Sequence, residues 1–500
     1  MEVKLSKTEL KGYDEAFSGM TEQEGTQEMV VPDTLPDIGA VVCTSGTPLI
    51  RSKDLSEGQL RMEVNVPARI VCRPEDGQGV YALEVNIPLT VVMENTGIHE
   101  KSLCVSGLCL NALETRILNP RKVSVRAVVG ASARCFLPEM ISVLGAPEEP
   151  QEGQINVQER EISFTPACAV TEKTFVLVDE FALPAGVRLL GQQTRLEVGE
   201  INSVGTKLVV KGSAKSCLLY STGEDEIGTA EFSTDFSQII EAEELPETVF
   251  PEIALLLSGA YYDVSGENRT GKMELHLVAQ AVVYGKRSAV CLTDAYSNRC
   301  ALTVETGRCT TGGIQSEQTL RETLRETLQT PQPVSEIVQG CAAFCAPRAE
   351  DGALTVPVTV CIYYRSADGS LNAVRRSVQA RFSAQLPAGE TAIPVSVGGG
   401  TLTLAPDGTG VEVLLPLELR IFVEETEELS CVTAITCEEG AAPDFSDRPS
   451  LVIERAGADR DLWAAARENG STVQGILDAN GLEDAAAVVP GQMLLIPKMA

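Results

Sequence analysis

Three stretches decide the fold: RMEVNVPARIVCRPEDG from Arg61 to Gly77, KLVVKGSAKSCLLYSTGED from Lys207 to Asp225, and ALTVPVTVCIYYRSADG from Ala353 to Gly369. In each, apolar and polar residues alternate with a period of two, the pattern of a half-buried strand, and a turn rich in Asp, Glu and Gly follows. Set against one another, their equivalent points are Cys72, Tyr220 and Tyr364, which stand 148 and 144 residues apart. A period that long describes a duplicated domain, not a solenoid repeat. Short alternating runs such as Val123–Val129 and Lys272–Ala279 lie between turn clusters, as sandwiches and barrels require. The chain therefore reads as mainly β, with three repeated β-sandwich-like domains followed by a small α/β unit.

Working outward gives the boundaries. Leu5, Leu10, Tyr13 and Phe17 have a loose helical spacing, so residues 1–30 read as an N-terminal helix and lead-in. The first β domain spans 31–145, the second 165–300 and the third 328–440. Gly145–Arg160, rich in Pro, Glu and Gln, begins a connector. Within Ser316–Thr330, Leu320, Leu324 and Leu328 are spaced by four and predict one face of a short helix, with Arg321, Glu322, Arg325 and Glu326 solvated. Residues 441–449 read as a linker. The last unit, 450–498, runs strand (Ser450–Glu454), helix (Asp461–Asn469, ended by Gly470), helix (from the capping candidate Ser471 to Asn480, ended by Gly481) and strand (Met493–Pro497).

Composition narrows the function. The 500 residues include 40 Lys and Arg against 70 Asp and Glu, a net charge of −30, which argues against nucleic acid and against anionic lipid as partners. Hydrophobic residues make up 44%, enough for a core in every domain, but aromatics are only 4%, so those cores must be aliphatic. No apolar run reaches the roughly 18 residues of a membrane span, and the N-terminus has no apolar core of signal-peptide length, so an intracellular location without direct membrane insertion is expected. The 15 cysteines include no C-x-x-C pair; free thiols in a reducing compartment are expected, rather than a disulfide framework or a zinc site.

A search for chemistry finds little. His99 and His276 lie in different domains without a surrounding catalytic motif, and both read as structural. Gly266–Met273 approaches the P-loop pattern but ends in Met273 where Ser or Thr must hold Mg²⁺, and strands flank it on both sides, so it reads as a hairpin turn. Asn268-Arg-Thr270 and Asn469-Gly-Ser471 are chance glycosylation patterns in a chain expected to stay inside the cell. Glu148/Glu149 and Glu427/Glu428 sit in polar runs as solvated pairs. Nothing supports an enzyme, and no catalytic, cofactor-binding or metal-binding residue is assigned.

Two resemblances add to this reading. Leu451–Ile453, Leu462-Trp463, Asn469-Gly470, Ile476-Leu477, Asn480–Leu482 and Gly491-Gln492 with Leu494, Ile496 and Pro497 make the last 50 or so residues resemble a LysM domain. The resemblance implies a shallow groove, formed by two loops at one end of the helices, for N-acetylglucosamine-containing glycans. The residues it places at that groove, or at a partner surface, are Asp459, Arg460, Asp461, Leu462, Asn480, Gly481, Leu482, Gly491 and Gln492. The family usually has Gly-Asp-Thr before Leu-Trp. Here Asp459-Arg460-Asp461 adds bulk and charge where a neutral sugar would lie, which favours a protein partner. Trp463, the only Trp, reads as a core residue of the first helix.

Val31–Ile38 (VPDTLPDI), Leu118–Val123 (LNPRKV) and Asp179–Pro184 (DEFALP) make residues 1 to about 440 resemble the SPOCS domains of spore-forming Firmicutes. Repeats of that domain before one LysM are similar to spore-coat morphogenetic proteins. This resemblance implies a non-enzymatic coat-assembly scaffold in the mother-cell cytoplasm at the forespore surface, binding a SpoIVA-like coat-base ATPase through its LysM end. The alternative is a peptidoglycan- or N-acetylglucosamine-binding protein of the cell wall or cortex. A cell-wall hydrolase would need an export signal and a His- or carboxylate-centred site, and the sequence shows neither.

Overall fold

The computed structural model describes residues 2–75, 77, 79–148, 155–222, 226–264, 269–350, 353–407, 410–438, 443–456 and 461–499. The chain is mainly β. It opens with β1 (Leu5–Val30), β2 (Ile38–Gly46), β3 (Leu49–Ser56), β4 (Gln59–Pro74), β5 (Tyr81–Glu94), β6 (Leu103–Asn119) and β7 (Lys122–Pro147). It continues through β8 (Asn156–Phe164), β9 (Ala167–Ala182), β10 (Arg188–Val204), β11 (Lys207–Ser221), β12 (Ile227–Glu241), β13 (Val249–Asp263), β14 (Thr270–Gly285) and β15 (Arg287–Tyr296). Then come β16 (Ala301–Gln329), β17 (Val334–Phe344), β18 (Arg348–Glu350), β19 (Ala353–Ser366), β20 (Leu371–Phe382), β21 (Glu390–Gly399), β22 (Thr403–Asp407) and β23 (Gly410–Glu438). The end is β24 (Leu451–Arg455), α1 (Leu462–Glu468), α2 (Val473–Asn480), a short 3₁₀ turn at Ala485–Ala487 and β25 (Met493–Pro497).

The stretches that decided the fold become β4, β11 and β19, each a middle strand. β4 lies between β5 and the pair β2 and β3; β11 lies between β10 and β12; β19 lies between β20 and the pair β17 and β18. Their alternation is realised as burial: Met62, Val64, Val66, Ala68 and Ile70 point inward on β4, as do Val356, Val358, Val360 and Ile362 on β19. Around these small sheets run long antiparallel ribbons. β1 pairs with β7 from Leu5↔Pro147 to Val30↔Lys122, β9 with β14, β8 with β15, and β16 with β23 from Ala301↔Glu438 to Gln329↔Gly410. They merge into two larger sheets, ordered β13-β14-β9-β1-β7-β6 and β15-β8-β16-β23-β21.

Two expected helices are corrected. Residues 5–17 and 316–329 are both strand, each the opening strand of a long ribbon. In β1, irregularities fall between Leu5 and Lys7 and between Glu15 and Phe17, while Leu10 and Tyr13, three apart on an unbroken stretch, face opposite sides, so the helix-like spacing mixes two strand faces. In β16, a spacing of four is also two full pleats, so Leu324 and Leu328 stay on one buried face of a strand. The near P-loop stretch lies between paired strands, Asp263 opposite Lys272, as expected of a hairpin; Gly266, Glu267 and Asn268 fall outside the described residues.

Polar side chains tie these layers together at specific points. Gln280 of β14, fully buried, donates through Nε2 to the Ser106 carbonyl at 2.7 Å and accepts from the Ser106 N–H at 2.9 Å on β6. Lys53 of β3 donates to Gln280 Oε1 at 3.0 Å, to the Cys104 carbonyl at 2.9 Å and to Glu172 at 2.5 Å. A buried amide left without such partners costs about 1–3 kcal/mol, so the contacts fix which strands meet. Among the described residues, no helix is long and apolar enough to cross a membrane.

Candidate functional site

Two places gather unusual chemistry: the terminal strand-helix-helix-strand unit and a cavity inside the β body.

In the terminal unit, β24 pairs with β25 and the helices cover one face. The core is Ala456, Leu462, Ala465, Ala466, Ile476, Leu477, Leu494 and Ile496. Asp461 caps α1, its carboxylate accepting from the Trp463 N–H at 3.1 Å. The cap of α2 is Thr472, not Ser471: Thr472 Oγ1 accepts from the Gly475 N–H at 2.9 Å, while Ser471 is buried. Gly470 and Gly481 follow the helices with φ of 62° and 65°, the left-handed region where glycine carries no steric penalty.

The candidate residues fall into separate places. Asp459 and Arg460 lie outside the described residues. Leu462 is buried in the core, and Leu482 packs partly buried against it. Asn480 clamps β25, donating to the Leu495 carbonyl at 2.7 Å and accepting from its N–H at 2.8 Å. The Gly491 N–H donates to the Ala456 carbonyl at 2.7 Å, and the Gln492 carbonyl accepts from the Ala456 N–H at 2.8 Å. Gln492 also accepts from the Val489 N–H through its side chain, at 3.1 Å. Asp461 and Gly481 are exposed. The structure brings Gly491 and Gln492 together beside Ala456, and sets Asn480 at the end of α2 against Leu495 in the middle of β25.

Trp463 is half-buried where this unit meets the β body. Its indole Nε1 donates to Asp294 at 2.8 Å, and its ring meets Tyr296 edge-on at 4.8 Å. Arg467 pairs with the same Asp294 carboxylate at 2.9 Å. The Tyr296 hydroxyl and the Asn298 amide both donate to the Ser471 carbonyl, at 3.0 and 2.9 Å. The opposite face of the small sheet is bare: Leu451, Ile453 and Met493 are 48%, 57% and 59% exposed, and Leu495 lies beside Ile453.

The cavity, about 1040 Å³, was not anticipated. Its walls come from β6, β7, β10, β13, β17 and β21, together with the segment Cys345–Arg348. Five cysteines and four arginines line it. Arg195 pairs with Glu197 at 2.7 Å and the Gly399 carbonyl at 3.0 Å, and Arg420 with Glu317 at 2.8 Å and the Pro251 carbonyl at 2.9 Å. Arg348 and Arg375 stand near thiols. Gln339 donates to Cys217 Sγ at 2.9 Å and to the Leu218 carbonyl at 3.2 Å. Burial pushes the Cys217 thiol up, and Glu231 adds to this.

The cysteines are not independent. Thirteen are free thiols, as expected, but Cys309 and Cys431 are joined as a disulfide with Cα atoms 6.4 Å apart. Cys291 brings a third sulfur, all three lying within 4.8 Å of one another; with two of them bonded to each other, the trio offers an ion one free thiol. Elsewhere Cys43 and Cys361 meet at 3.7 Å. The histidines pair with carboxylates, His99 with Glu57 at 2.9 Å and His276 with Glu274 at 2.8 Å, and neither lines the cavity. Glu427 and Glu428 pair with Arg160 and Arg308 across exposed strands.

No family model matches the chain, and neither a curated protein nor a solved structure is significantly similar to it.

Proposed function

We propose that the chain is a non-enzymatic assembly scaffold of the spore coat. In this reading three copies of a SPOCS-like β domain form the body, and a LysM-like end engages a SpoIVA-like coat-base ATPase at the forespore surface in the mother cell. The observation that carries it is the bare outer face of β24 and β25. Alternation along a strand sends Val452, Leu494 and Ile496 into the core and leaves Leu451, Ile453 and Met493 in solvent, on a two-stranded sheet whose β25 edge is occupied at Leu495 by Asn480. An exposed apolar face suits a protein partner, which can cover the patch. A neutral glycan would look instead for small, uncharged groups at the loop that here ends in Asp461.

The test uses the full-length protein and a purified coat-base ATPase of this class in a surface-binding assay. Ile453→Asp and Met493→Asp put charge on exposed positions and leave the core intact, so binding should fall at least tenfold while folding is unchanged. Unaltered binding in both variants would remove the support for this face. A parallel titration with N-acetylglucosamine tetramer separates the alternative: saturable binding abolished by Asp461→Ala would favour the glycan reading.

A further inference from the structure

The cavity holds two thiols that are far apart in sequence and share one hydrogen-bond acceptor. Cys109 is on β6 and Cys345 follows β17, and both line the cavity wall half-buried. Both sulfurs reach Asn111 Oδ1, Cys109 Sγ at 3.1 Å and Cys345 Sγ at 3.9 Å. Asn111 is held in turn by donating through Nδ2 to Glu22 at 2.7 Å. Arg348, three residues after Cys345, also lines the cavity.

The two thiols are electrostatically unlike. Cys345 is pulled below the usual thiol range, first by the S–H of Cys109 and then by the Arg348 guanidinium, against the opposing effect of burial. Cys109 is pushed up, first by its bond to Cys345 and then by burial. The thiolate is the nucleophile in thiol–disulfide exchange, so such a pair divides into an attacking sulfur and one that keeps its proton. The chain's other close pairs each include a buried member, Cys43 beside Cys361 and Cys135 across from Cys104, apart from Cys341 and Cys361, which face each other across β17 and β19.

We propose that Cys345 and Cys109 form an oxidation site in which a small-molecule disulfide entering the cavity is reduced and the two cysteines are joined. The Cys345 thiolate attacks one sulfur of the small disulfide, forming a mixed disulfide and releasing one thiolate. Cys109 then gives its proton to that thiolate and attacks the Cys345 sulfur, closing Cys109–Cys345 and releasing the second thiolate. The protein dithiol loses two electrons and the small disulfide gains them. The product ties β6 near the start of the chain to the segment after β17 and locks two walls of the cavity together. The site stands independently of what the terminal unit binds.

The experiment treats the full-length protein with oxidised glutathione under native conditions, quenches with an alkylating agent, and maps disulfides by peptide mass spectrometry. The expected result is that the peptide pair containing Cys109 and Cys345 appears before any other new pair. In Cys109→Ser the resolving thiol is gone, so glutathione should accumulate on Cys345 as the mixed disulfide. Arg348→Ala should slow modification of Cys345 at least severalfold and shift its pH profile upward. The proposal is overturned if Cys109 and Cys345 stay alkylatable while other cysteines oxidise, or if Cys109→Ser leaves Cys345 unmodified. The wild-type map needs no variant, so it decides the matter even if a substitution impairs folding.

Discussion

Replacing Asp294 by Ala should release the terminal unit from the β body while leaving both folded. Asp294 accepts the Trp463 indole N–H at 2.8 Å and pairs with Arg467 at 2.9 Å. A hydrogen bond to a charged acceptor contributes about 1.5–3 kcal/mol. The Arg467 pair adds little, about 0.5 kcal/mol, because the Arg467 side chain is 53% exposed. The loss is then about 2–3.5 kcal/mol, roughly a hundredfold at the midpoint, in the equilibrium between docked and undocked ends. Trp463 is the only Trp in the chain, so its fluorescence reports this junction alone. Asp294→Ala should shift Trp463 emission to longer wavelength and raise its quenching by acrylamide. In urea the fluorescence transition should move to lower concentration, ahead of the far-ultraviolet circular dichroism transition of the β body. Asp294→Asn, which keeps an oxygen acceptor but not the charge, should lie between. If emission, quenching and both transitions of Asp294→Ala coincide with wild type, the junction does not depend on Asp294 and the reasoning fails.

Three further outcomes follow from the same contacts. Ile362→Ala removes a fully buried side chain from β19 and should cost about 3–4 kcal/mol in urea unfolding; a loss below about 1 kcal/mol would mean that strand is not packed as described. Asn480→Ala deletes the clamp on Leu495 and should destabilise the terminal unit by about 1–2 kcal/mol, read by Trp463 fluorescence, with the β body unchanged. Asp368 accepts from the Ser366 hydroxyl at 2.7 Å and the Ser370 N–H at 3.0 Å, which hold its carboxyl down at about 2. Because the folded state binds this proton less tightly than the unfolded chain does, its contribution is whole above an ordinary carboxyl pKa of roughly 4. It declines as pH falls and is gone below about 2. The gap in urea midpoint between wild type and Asp368→Ala should therefore close between pH 5 and pH 2, and a gap constant with pH would contradict it.

The middle strands were legible because one face of each is buried along its whole length. Along β19, Val356, Val358, Val360 and Ile362 alternate with Pro357, Thr359 and Cys361, and that pattern admits a single period. The opening strands were not legible, for two different reasons. In β1, Leu10 and Tyr13 face opposite sides of an unbroken stretch, and Leu5, Tyr13 and Phe17 pack in three different clusters, so intervals of five, three and four that a helix also produces mix the two faces of a strand. The RETLRET stretch of β16 is rich in helix-forming residues, yet β23 presents it with an apolar face running from Val411 to Ile421. Pairing along 29 residues overrides a propensity worth tenths of a kcal/mol at each position. In the terminal unit the glycines and caps announced both helices, but no spacing told that Leu462 faces inward and Asn480 clamps β25, because those roles depend on contacts across the unit.

The cavity escaped sequence reading for a stronger reason. Local patterns encode which face of an element is buried, but not which distant element covers it. Cys109 and Cys345 meet only because β6 joins the sheet through β7 while β17 joins a different sheet through β19. Nothing near either cysteine marks the other, and Arg348 beside Cys345 is the one local sign of a thiol held in a positive environment. The same logic bears on the scaffold role proposed above. Under that proposal, a binding face at one end is useful to an assembly only if its pose relative to the body is fixed. Here the junction includes polar contacts such as Asp294 with Trp463, worth about 1–3 kcal/mol, as Gln280 with Ser106 is within the body. Contacts of that size hold a structure in place but yield to competition. A covalent tie between Cys109 and Cys345 would not yield, and it would take effect only on exposure to an oxidant, after the parts have been brought together.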